Sequence, residues 1–138
     1  MNAVLLVGRV LFALIFINSG ISHLTKTAAM TGYAQYKKVP AAKLSVIVSG
    51  LMILVGGIYI VLGFYADLGA LLIAAFLIPT ALIMHTFWKE TDATAKMNET
   101  VGFFKDLSLA GAALIIFAVL RAGADFGPHV GTLLAFKK

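Results

Sequence analysis

Apolar residues run almost unbroken through four stretches of this chain, at 3–22, 44–64, 67–87 and 103–121. Residues 44–64 contain no charge; 68–88 contain one ionisable group, His85; 3–22 contain one, Arg9. A hydrocarbon core of about 30 Å is crossed by roughly 20 such residues in a helix. Lipid offers no hydrogen bonds, so each stretch has to satisfy its own backbone, and a helix does so within the segment. The pattern predicts an all-α fold, a four-transmembrane-helix antiparallel bundle forming one membrane domain over 1–138 with a tail at 122–138. The fourth span is the shortest in clean apolar residues, 107–120, and reaching back to Phe103 places Lys105 and Asp106 in its first turns. The first stretch reads as a retained span: no basic segment precedes it, Arg9 interrupts it, and no small-residue cleavage pattern follows.

The punctuation between spans is informative. Residues 25–43 are polar, with a short interfacial helix expected over 27–36 carrying Met30, Tyr33 and Tyr36. Pro40 fits the start of the second span, where a missing N–H is harmless. Ser49, Gly56 and Gly63 recur every seven residues, and Ala66, Ala70 and Ala74 every four; small residues on one helix face favour close packing in lipid. Asp67 suits the N-terminus of the third span. Pro79 is expected to kink it. The tail is Gly-rich, and 132–136 are expected on the membrane surface.

Composition agrees with the pattern: 61% of residues are hydrophobic and 12% charged, about half the charge of a soluble domain. The absence of cysteine excludes disulfides, thiol relays and thiolate metal sites. A net charge of +5 does not indicate nucleic acid, because the Lys and Arg residues flank membrane spans. Lys26, Lys37, Lys38, Lys43, Lys89, Lys96 and Lys105 fall on the side of loops one–two and three–four; Arg9, Arg121, Lys137 and Lys138 fall on the side of the termini. This bias favours cytoplasmic loops and external termini.

Spans one and three run in the same direction, so His23 and His85 end at one membrane face. Lys43, Lys105 and Asp106 start spans at that face, Trp88 lies about one turn beyond His85, and Asn18 lies more than one turn deeper than His23. The candidate ligand-binding residues are therefore His23, His85, Trp88, Lys105, Asn18 and Arg9. Two readings stand beside each other for the histidines: hydrogen bonding at helix ends, or a polar head-group site in which imidazole binds a quinone carbonyl and Lys105 and Trp88 supply charge and a flat wall. Arg9, about 10 Å into its span, is expected to pair with Asp67 or Asp125, to snorkel, or to bind an anionic or quinone-type ligand. No metal is expected, since the two histidines lack a ligand set. No nucleotide fingerprint or Ser/His/Asp arrangement is present, and His129 reads as a turn residue.

An ordered set of residues resembles the DoxX family: Gly8-Arg9 leading span one, Ser19 to Leu24 ending it, Val39-Pro40-Ala41, Gly56-Gly57 and Gly63, His85-Thr86-Phe87-Trp88, Asn98, and Phe104 to Gly111. Two positions depart from the family pattern: Ile53 stands where many members have Glu, and Asp106 where Asn is frequent. The resemblance implies a small protein of the bacterial plasma (inner) membrane, associated with membrane redox systems such as thiosulfate–quinone oxidoreductase. The function expected is a membrane subunit that supports a redox system by binding a quinone or another lipophilic molecule. No catalytic residue is assigned, and the chain has no redox group of its own. The partners expected are the lipid bilayer, a redox partner protein and further copies of the chain. A non-catalytic anchor or assembly factor is the alternative, and a small-molecule transporter the third.

Overall fold

The computed structural model describes residues 1–129 and is helical throughout its regular elements. The helices are α1 (Asn2–Thr25), α2 (Thr27–Tyr36), α3 (Ala42–Leu62), α4 (Ala66–Met84) and α5 (Ala93–Arg121), with a 3-10 turn at Phe87–Lys89. α1, α3, α4 and α5 are long and apolar enough to cross a membrane. They run antiparallel in chain order, α1 packing on α3, α3 on α4 and α4 on α5. α2 is the short interfacial helix expected over 27–36; it lies against α3 and touches α1. The segment expected on the membrane surface at 132–136 lies outside the described residues.

The small residues sit where backbones meet. A methyl group on Gly56 would stand 2.9 Å from the Gly69 carbonyl oxygen, and one on Gly20 2.9 Å from the Gly50 oxygen. Larger side chains at these positions would force α3 away from α4 and from α1. Around these contacts Ala13, Phe16, Ile53, Ile60, Ala70, Ile73, Leu77 and Ala113 build one core. A second, smaller core of Ala34, Ala42 and Val46 joins α2 to the start of α3. Gly63 ends α3 in the left-handed conformation (φ 67°), which costs a glycine little, and Asp67 enters the first turn of α4 as expected.

Two expectations require correction. The loop between spans three and four is mostly helix: α5 begins at Ala93, ten residues before Phe103, because the Asp92 carboxylate caps it by accepting from the Ala95 N–H at 2.9 Å. The helix ends on the other side of that loop at Met84, so Trp88 does not continue α4 and sits instead in the 3-10 turn. Pro79 leaves α4 unbroken up to Met84.

Candidate functional site

The polar residues separate into three places. The first is the hairpin end, where Arg9 is buried beneath the α3–α4 turn. Its guanidinium donates to the backbone carbonyls of Ile60 and Phe126, both at 2.9 Å, and of Val61 and Pro128. The Phe126 ring faces the guanidinium at 5.1 Å from centroid to Cζ. These carbonyls take the place of the carboxylate partner expected for Arg9. Asp67 instead faces Arg121 at 3.7 Å, and Asp125 caps the Gly127 N–H. A planar fork matches carbonyls arriving from two chain segments better than a point charge would.

The second place is the opposite membrane face, where an imidazole lies between two carboxylates. His85 Nδ1 is 2.9 Å from Glu99 Oε2, and Nε2 is 3.4 Å from Asp106 Oδ2. Glu99 and Asp106 are seven residues apart on α5, two turns on the same face, so one ring can bridge them. Gly102 lies between them, and a methyl group there would collide with the His85 ring at 2.5 Å. Lys37 approaches Glu99 at 3.6 Å and Glu90 at 3.8 Å, and Lys105 approaches Asp106 at 3.6 Å. An ionised carboxylate only accepts, so both ring nitrogens donate at once in the imidazolium form. Tyr33 on α2 donates to Glu99 Oε1 at 3.5 Å, and burial, then the Glu99 charge, push its phenol upward, keeping the proton on the donor.

The third place is a groove of about 700 Å³. α3 and α4 touch at Gly56 and Gly69, and toward the loop face the groove is lined by 44–52 of α3 and 75–84 of α4. α2 covers it through Met30 and Tyr33. The lining is apolar for the most part, with Met52, Phe76, Pro79 and Ile83 prominent; His23, Ser49, Lys26 and Tyr33 are among its polar members. The buried His23 ring has Nδ1 at 3.1 Å from both the Val46 carbonyl and Ser49 Oγ, and its edge meets Phe76.

Of the candidates named from sequence, only His23 lines the groove. His85 and Lys105 belong to the charged network, while Trp88 packs on Phe87 and Phe103 in an aromatic cluster. Arg9 is at the far end, and Asn18 lies on the exposed face of α1. The structure adds Glu99, Ser49 and Tyr33. Glu99 could have been found from its seven-residue spacing to Asp106 had the preceding loop been read as helix. Among the described residues no group of three or more His, Asp or Glu is arranged to hold a metal ion.

The DoxX family model matches residues 4–86, which cover α1 to α4 and stop short of α5. Inner membrane protein YphA of Escherichia coli (strain K12) is 32% identical over 120 residues, covering 87% of this chain and 84% of that protein. No solved structure matches the chain. The chain belongs to the DoxX family.

Proposed function

We propose that this DoxX-family membrane protein resides in the bacterial inner membrane and serves a membrane redox system by holding a quinone, or a molecule of similar shape, in the groove between α3 and α4. The observation that carries this reading is the groove itself: about 700 Å³, apolar along its length, with His23 and Ser49 set into its wall. Pockets of this size and lining suit a small lipophilic ligand with one polar end. Leu44, Val48, Pro79 and Ile83 line the groove and are exposed in the spans, so a ligand dissolved in the bilayer has a lateral way in. With Nδ1–H donating to Val46, His23 Nε2 is an acceptor suited to a quinol hydroxyl, and Lys26 supplies a donor for a carbonyl. The electrons come from a partner protein, since no side chain here carries them. The excess of basic residues on the loop face supports a cytoplasmic position for that face.

Titration of a short-chain ubiquinone or menaquinone against purified protein in lipid nanodiscs tests the site. His23→Ala is expected to weaken binding about tenfold, the loss of one or two hydrogen bonds in an apolar site. Met52→Trp, which fills the groove, should abolish it. His85→Ala, outside the groove, should leave affinity within about twofold once refolding is confirmed by circular dichroism. Loss of binding in His85→Ala with retention in His23→Ala would move the site to the charged network.

A further inference from the structure

α1 carries two seams of heptad spacing on opposite faces. The inner one, at positions 9, 13, 16, 20 and 23, is buried within the fold, with Gly20 and His23 against α3. The outer one comprises Val4, Val7, Leu11, Leu14, Asn18 and Ile21, at alternating steps of three and four, and every member is exposed. Exposed leucines are ordinary in a helix that faces lipid. Asn18 is not. It lies seven residues from the Thr25 end of α1, about 10 Å in at 1.5 Å per residue, and sixteen from the other end. Its amide offers two N–H donors and an acceptor, and among the described residues it makes no hydrogen bond. Acyl chains offer none either, and a polar group left unsatisfied in hydrocarbon is costly.

We propose that the outer seam of α1 is the interface of a parallel dimer of this chain, with Asn18 paired to Asn18 of the second copy. Two copies inserted in the same orientation have parallel α1 helices, and a twofold axis along the membrane normal sets each Asn18 opposite its equivalent at equal depth. An amide is its own complement, donating to and accepting from an identical group. The spacing places the apolar members at the a and d positions of a heptad and Asn18 at a, where a single polar residue fixes register and copy number. None of the seam residues lines the groove, so a dimer of this form leaves each groove free.

The chain contains no cysteine, so a single introduced thiol is the only one present. Val7→Cys, Leu11→Cys, Leu14→Cys and Ile21→Cys, each oxidised in native membranes, are expected to give a cross-linked band of twice the chain mass. Ile115→Cys, on the exposed face of α5, is not. Asn18→Leu should raise the dimer dissociation constant in liposomes about three- to tenfold, the range of one interhelical hydrogen bond in a membrane, and Asn18→Gln should restore it. Absence of cross-links, equal cross-linking at Ile115→Cys, or a Leu14→Cys product joined to a protein of another mass would overturn the second copy as occupant. These outcomes are read without any ligand and are separate from the fate of the quinone site.

Discussion

The two ends of the α3–α4 pair are built from one type of helix and behave as opposites. At the hairpin end glycine faces glycine, backbones touch, and Arg9 ties the α3 terminus to the segment that follows α5. At the loop end the same helices bear Met52, Phe76 and Ile83 and line a groove roofed by a ten-residue helix with its own small core. Lipid gives little preference between a buried and an exposed leucine, so side-chain size and backbone hydrogen bonding decide where helices close and where they part. One end is a clamp and the other is an opening whose cover is held by charges.

This contrast can be broken first at Arg9. Arg9→Ala leaves four carbonyl acceptors without their donor and should cost roughly 3 kcal/mol or more, read as lower thermal stability in detergent. Arg9→Lys, which keeps charge but not the fork, should recover only part of it. The next effect is steric. Gly56→Leu should cost roughly 2–3 kcal/mol by driving α3 off the Gly69 backbone, whereas Met52→Leu, four residues away on the groove wall, should cost less than about 1.5 kcal/mol. Equal losses at the two positions would show the ends to be packed alike. The smallest effects belong to the loop-face charges. Glu99→Gln weakens contacts to His85, Lys37 and Tyr33 at once, about 1–2 kcal/mol, and should speed proteolysis at the α2–α3 linker. Lys105→Ala, half exposed, should stay within about 0.5 kcal/mol.

The spans were legible in the sequence because lipid imposes one rule on every backbone group, and apolar length reports it directly. α2, Asp67 and the helix-packing role of Gly56 were legible for similar local reasons. What was not legible depended on partners distant in sequence. Arg9 suggested a carboxylate, yet its acceptors are backbone carbonyls up to 119 residues away, and a carbonyl has no residue-type signature. With the fourth span expected to begin at Phe103, the helix start capped by Asp92 lay outside it, and Glu99 was not placed on the face of Asp106. His23 and His85 end helices that run in the same direction, yet they do not form one site: His23 lines the groove and His85 joins the charged network. Which of them would turn toward the groove between α3 and α4 was set by helix rotation, and spacing alone does not fix that.

The carbonyls around Arg9 also impose an order on biogenesis. Arg9 is synthesised well before two of its four acceptors, on Phe126 and Pro128, which are added only after every span has been made. Until then an apolar helix carries an incompletely satisfied cation, the kind of feature that membrane proteases and chaperones recognise. The segment that follows α5 thus certifies α1: a nascent protein that stalls or is clipped before Phe126 keeps an open charge in that helix.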